Sequence, residues 1–172
     1  MKIEYKDIQI REATIEDAEQ LYIWWNDGVV MEHAGFPNGL GITLEEIRKD
    51  IEGYNGKVHM IVFKNERIGE MNYRDVDFGI CEIGIKICDF SKHNQGLGKL
   101  ILSLFINVLF NEYKYQKIVL NTNLNNVQSQ HVYERLGFKK ICINSNSWKD
   151  QLGVWQSFVN YELTSEAFAP FL

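Results

Sequence analysis

The sequence predicts a mixed α/β fold: a mostly antiparallel central sheet of about six to seven strands with helices on both faces. Three observations carry this. Residues alternate strictly over Cys81 to Cys88, with Cys81, Ile83, Ile85 and Ile87 on one face and Glu82, Gly84, Lys86 and Cys88 on the other. The stretch after Gly98 is apolar nearly all round, apart from a narrow stripe of Lys99, Ser103, Asn107 and Asn111, and reads as a mostly buried helix. Lys117 to Leu120 is a short apolar run of the kind found at the centre of a sheet.

The remaining elements follow in chain order. Ile8 to Ala13 alternates with period two and reads as a strand. Thr14, with Asp17 three residues on, marks a helix start, and Ala18, Leu21, Tyr22 and Trp25 fall on one face of that helix. Gly28 to Gly41 holds four glycines and a proline and reads as a loop. Thr43 and Glu46 form a capping box for a second helix running to about Tyr54. Strands are expected near 58–63 and 67–76, around the turn "KNER". After the buried strand 117–120, Asn125 and Gln128 pair as a cap for a helix that stops at Gly137. Two closing strands, near 139–146 and 152–163, are joined by "NSWKDQLG". The order is β-α-α-β-β-β-α-β-α-β-β, and the whole of 1–172 is expected to be one domain.

Composition narrows the function classes. A formal net charge of -5 argues against a nucleic-acid binder working through a broad basic surface. The first residues lack the apolar region of a signal peptide. The apolar run from Leu100 to Phe110 is interrupted by Ser103 and Asn107 and is too short to span a bilayer. A soluble cytoplasmic protein is expected, with neither nucleic acid nor membrane as partner. Cys81, Cys88 and Cys142 are an odd number without a disulfide pattern; each lies in an apolar, strand-like segment, and buried free thiols in a reducing compartment are expected. His33, His59, His93 and His131 are scattered, so no metal is expected.

The chemistry centres on "KHNQGLGKL", Lys92 to Leu100, where a Gly-x-Gly turn feeds the apolar helix. Glycines at a strand-to-helix junction let main-chain N–H groups face an anion, and the helix start adds about half a positive charge. Alone, such a turn reads equally as ordinary turn chemistry. Asn126, Ser129 and Tyr133, at spacings of three and four, share one face of the next helix. If the two preceding strands are neighbours, both helix starts lie at one sheet edge, where open α/β sheets bind ligands.

Together these segments resemble the GNAT superfamily of acetyl-CoA-dependent N-acetyltransferases. The family turn Arg/Gln-x-x-Gly-x-Gly/Ala is matched by His93, Gly96 and Gly98, with His93 a departure from the usual Arg or Gln. The family's Asn-x-x-Ala/Ser-x-x-x-Tyr-Glu-x-x-Gly-Phe is matched by Asn126, Ser129, Tyr133, Glu134, Gly137 and Phe138. "IREATIEDAEQLYIWWND" and "EIGIKI" also look like the branch acting on ribosomal-protein N-termini and spermidine. The likeness runs from Ile8 to about Thr164 and implies a GNAT-like sheet.

The resemblance implies acetyl transfer from acetyl-CoA to a primary amine, directly in a ternary complex. It makes His93, Asn94, Gln95, Gly96, Leu97, Gly98 and Lys99 coenzyme contacts, with the amides of Gln95 to Lys99 carrying the phosphates. Asn126, Ser129 and the main chain at Ile85 and Ile87 would meet the coenzyme arm, and an N–H near Ile87 would meet the thioester oxygen. Tyr133 becomes the acid for the leaving thiolate and Glu82 the base through water; from spacing alone, each reads as well as a core tyrosine and a paired strand glutamate. Lys92 and Lys99 read either as phosphate contacts or as solvated lysines. Trp25, Glu32 and His33 would line the acceptor site, whose acidic groups suit a small cationic amine, a polyamine or a protein N-terminus. Alternatives are another acyl-CoA as donor, or a catalytically silent acyl-CoA sensor. A P-loop nucleotide site does not fit, because no Lys-Ser/Thr follows the glycines. Relatives are often dimers, so a homodimer is an expectation, and the apolar tail "SEAFAPFL" would dock on its own core or on a partner.

Overall fold

The strands form one eight-stranded sheet in the order β1-β2-β3-β4-β5-β6-β8-β7. They are β1 (Lys2–Tyr5), β2 (Ile8–Glu12), β3 (Val58–Phe63), β4 (Glu66–Asp77), β5 (Ile80–Ile87), β6 (Lys117–Asn123), β7 (Lys139–Lys149) and β8 (Trp155–Thr164). The helices are α1 (Ala18–Trp25), α2 (Gly28–Met31), α3 (Leu44–Gly53), α4 (Leu97–Asn111) and α5 (Val127–Arg135). This is a computed structural model that describes residues 1–53 and 57–171. Neighbouring strands run antiparallel, except that β5 and β6 are parallel. A parallel pair cannot be closed by a tight turn, and α4 is the crossover that joins them.

The two sheet faces carry different loads. On one, Ile61, Met71, Cys81, Ile83, Ile118 and Tyr161 pack with Ile101, Phe105 and Leu109 of α4 and with Tyr133 of α5. On the other, Met60 and Cys88 pack with Leu21, Trp24 and Ile47 of α1 and α3. At the start of α1, Asp17 is fully buried and accepts bonds from Arg11 (2.7 and 3.0 Å), Arg67 (2.7 Å) and the Thr14 N–H (2.8 Å). Burial pushes its carboxyl up, but these donors outweigh that and hold it down at about 2.

The structure adds to and corrects the sequence reading at defined points. The short hairpin strand β1 was not expected and makes the eighth strand. On α1, Trp24 rather than Tyr22 turns inward, and Tyr22 is 42% exposed. The glycine-bearing loop holds α2, capped by the Asp27 carboxylate, and a 3-10 turn over Glu32–Ala34. The end of the second helix near Tyr54 lies outside the described residues. The cap of α5 is Asn126, not Asn125, and Gln128 bonds Asn94 instead (2.7 Å). β7 runs on through Trp148, so the joining turn is shorter than "NSWKDQLG" and is closed by Asp150, which accepts from Leu152 and Val154 N–H. Cys81 and Cys88 are buried free thiols, but Cys142 is exposed because β7 is an edge strand.

The polar stripe of α4 has a partner. Ser103 is fully buried and accepts the Phe171 N–H at 2.7 Å, while the Lys99 ammonium lies 3.4 Å from the Phe171 ring centroid. Phe168 meets Phe110, and Ala169 N–H bonds the Leu136 carbonyl, so the described tail docks on its own core.

Candidate active site

The site begins where two strands part. β5 and β6 pair only over Ile80–Lys117, Cys81–Ile118 and Glu82–Val119, yet β5 runs on to Ile87 and β6 to Asn123. The Cys88 N–H bonds the Ile68 carbonyl on β4 (2.8 Å). Main-chain groups alternate sides in an antiparallel pair, so the N–H and C=O groups of Ile85 and Ile87 point toward β6, beyond the reach of its ladder. The result is a wedge between strands, with Glu82 at its apex and, along one wall, the Ile85 and Ile87 N–H groups without a strand partner among the described residues.

His93 closes the β5 wall. Its Nε2 lies 2.9 Å from the Ile87 carbonyl oxygen, and a carbonyl only accepts, so Nε2 carries the proton. The ring also meets Phe90 edge-on. The unusual residue of the glycine turn therefore ties the turn to the end of β5.

The turn itself ends in an open helix start. Gly96 caps α4 in the left-handed region (φ 74°), which suits glycine, and no side chain caps this end among the described residues. The first intrahelical bond runs from Leu100 N–H to the Gly96 carbonyl, so the N–H groups of Leu97, Gly98 and Lys99 precede it. A Cβ on Gly96 or Gly98 would meet nothing within 4 Å. Donors with no acceptor among the described residues, open space around both glycines and the positive end of a helix suit a phosphate-bearing group. Lys92 is engaged elsewhere, 3.2 Å from Glu66, and Lys99 leans on Phe171.

α5 starts beside this cradle, held by the Gln128–Asn94 bond. Asn126 accepts the Ser129 N–H at 3.2 Å, so its side-chain oxygen is used in capping. One turn further in, Tyr133 is buried and packs against Phe138 and Tyr161. Burial pushes its phenol up to about 12, with a bond to the Ser129 side chain pulling the other way. It is protonated at neutral pH.

The opposite face of the sheet carries a polar floor. Glu82 is clamped: Arg74 Nε donates to Oε2 at 2.6 Å and Asn121 Nδ2 to Oε1 at 3.1 Å. Further along, Trp25 Nε1 donates to Glu70 Oε1 at 3.2 Å, so this tryptophan is an anchor on the sheet, not a free stacking surface. Glu32 and His33 are exposed on their 3-10 turn, which lies against β6. A Cβ on Gly35 would come within 2.3 Å of the Trp148 ring, and Gln151 bonds the main chain at Gly35, Asn38 and Gly39. The loop after α1 thus bridges to the β7–β8 hairpin over this floor. Arg74, Asn121, Glu70 and Lys86 were missed from sequence. Their signal lay in strand register: the β4–β5 hairpin sets Arg74 opposite Glu82 and Glu70 opposite Lys86.

A divergent strand pair beside a glycine helix start without a side-chain cap, with a buried phenol on the next helix, is an arrangement suited to a phosphate-bearing ligand. The family profile described as "Acetyltransferase (GNAT) domain" matches residues 7–139. The chain belongs to this family, and with it to the acetyl-CoA-dependent acyltransferases. No curated protein matches the sequence. Among solved structures, the fold is similar to that of RimL, a ribosomal L7/L12 α-N-protein acetyltransferase in complex with coenzyme A (TM-score 0.85, 17% identity, 97% of this chain and 99% of that one). It is also similar to spermidine N-acetyltransferase from Vibrio cholerae in complex with CoA and spermine (TM-score 0.82, 15% identity, 95% and 98%). A third is a GNAT-family acetyltransferase from Bacillus anthracis (TM-score 0.80, 20% identity, 96% and 99%).

Proposed function

We propose that the chain transfers an acetyl group from acetyl-CoA to a primary amine, directly within a ternary complex. The observation that carries this reading is the wedge between β5 and β6, opening beside the uncapped start of α4. The N–H groups of Leu97, Gly98 and Lys99 hold the pyrophosphate, and the main chain of Ile85 and Ile87 holds the coenzyme arm. Acetyl-CoA supplies an activated acyl carbon. The Ile87 N–H meets charge building on the thioester oxygen, and the His93 bond keeps that end of β5 in place. Tyr133, a phenol protonated at neutral pH, gives its proton to the departing sulfur.

The amine comes from the other face, because α4 and α5 cover the first one. On that face Glu82 draws off its proton through water. Solved neighbours that act on a protein N-terminus and on spermidine support an amine acceptor. The buried free thiols Cys81 and Cys88 are in keeping with a cytoplasmic setting.

Thermal shift with acetyl-CoA against ATP and NAD tests the donor; stabilisation by acetyl-CoA alone is expected. Thiol release over a panel of amines tests turnover. Silence toward every amine, with acetyl-CoA bound tightly, would leave a sensor in place of an enzyme.

A further inference from the structure

Glu70 and Lys86 face each other across β4 and β5 on the acceptor side, one register step from Ile87. Glu70 is only 6% exposed, yet its pairing is incomplete. Oε1 takes the Trp25 N–H and lies 3.7 Å from Lys86 Nζ, too far for a hydrogen bond. Oε2 has no donor among the described residues. Among the described residues, the one short contact of Lys86 Nζ is the Met31 sulfur at 3.1 Å, a weak acceptor for a group with three protons to place. Lys86 is 26% exposed, so Glu70 Oε2 and Lys86 Nζ are open to a ligand arriving from the acceptor side, with hydrogen-bonding capacity that no described residue takes up.

The geometry points to Glu70 and Lys86 as a matched recognition pair for an α-amine, the amino end of a peptide or amino acid. This rests on the acetyltransferase reading and names its substrate class. An α-ammonium and the carbonyl oxygen of its own residue are held about 3 Å apart by covalent geometry. The ammonium docks on Glu70 while the oxygen meets Lys86, and the proton then passes through water to Glu82, on the same face of the sheet. A polyamine brings cations only, leaves Lys86 unpaired, and sets like charges side by side. Trp25 fixes the carboxylate that receives the amine, which is how it serves substrate binding without touching substrate.

The test compares kcat/KM for an alanine tripeptide amide and for spermidine. Wild type should prefer the tripeptide at least tenfold. Lys86→Met should lower kcat/KM for the tripeptide about tenfold, through KM, and leave spermidine unchanged or improved; Lys86→Arg should keep the preference. Glu70→Gln should raise KM for both amines. A wild-type preference for spermidine overturns the proposal, as does an equal loss on both amines in Lys86→Met. The wild-type preference needs no variant, so the proposal stays decidable should Lys86→Met fail to fold. Thermal shift with acetyl-CoA separates the layers. A wild type stabilised by acetyl-CoA but preferring spermidine loses only the substrate class; one not stabilised loses the transferase reading and this proposal together.

Discussion

The Arg74 guanidinium bonds the Glu82 carboxylate at 2.6 Å, at the last register pair before β5 and β6 part. Asn121 holds the other oxygen, so the carboxylate is oriented from two strands at the apex of the wedge. Loss of a positioned base typically costs about 100-fold or more. Glu82→Gln should therefore lower kcat at least about 100-fold while acetyl-CoA binding is kept. Arg74→Gln should lower it less and change stability by under about 1 kcal/mol, because this ion pair is solvent-exposed on the arginine side. An unchanged kcat in Glu82→Gln, read by thiol release, would falsify the base assignment.

The two glycines of the cradle should respond with opposite signs in stability. Gly96 sits at φ 74°, where an L-residue costs about 1–2 kcal/mol, so Gly96→Ala should lower the urea midpoint. Gly98 lies inside the first turn with open space around it, so Gly98→Ala should stabilise by about 0.5–1 kcal/mol. Both place a methyl in the cradle and should raise KM for acetyl-CoA. A Gly98→Ala enzyme with unchanged KM would move the phosphates elsewhere.

Tyr133→Phe removes one oxygen from a buried ring and keeps its packing on Phe138 and Tyr161. Turnover should fall about 10–100-fold, with KM for acetyl-CoA unaltered. Because burial pushes the phenol up to about 12, it should place no basic limb on the rate profile below about pH 10. A limb near pH 8 that vanishes in Tyr133→Phe would contradict this.

His59 gives the fold an acid-sensitive point away from the site. Its Nδ1 bonds the Lys57 carbonyl at 2.8 Å, and its Nε2 is buried without a partner among the described residues. Burial lowers the ring to about 4, below the ordinary value near 6.5. The unfolded chain then binds the extra proton first. Stability from keeping His59 neutral is full above about pH 6.5 and drains away as pH falls through about 4, by on the order of 2–3 kcal/mol. His59→Phe, set among Tyr73 and Phe105, should flatten urea midpoints across that window. The loss that persists below pH 4 belongs to Asp17, held at about 2.

Most of the sheet was legible because alternation is a local signal. Cys81 to Ile87 could be assigned face by face, and the glycine turn was marked by its own residues. β1 escaped because its hairpin turn uses Lys6 in the left-handed region, with no glycine or asparagine to announce it. α2 escaped because a single turn capped by Asp27 has no periodicity to read. Tyr133 and Glu82 could be named from motif, but their partners could not. The clamp on Glu82 and the pair at Glu70 arise from residues in separate strands, and only register brings them together. The place of His93 was likewise hidden, since its target is a main-chain carbonyl six residues back.

The contact between Gly35 and Trp148 has a consequence for engineering. Exchange of specificity loops between related enzymes treats each loop as a cassette. Here the segment after α1 has no room for a side chain where it meets the β7–β8 hairpin, and Gln151 stitches the two through three main-chain groups. A graft of either segment alone would bring a foreign surface against Trp148 or leave Gln151 without its partners. The smallest transferable unit is the pair, cut from the same donor.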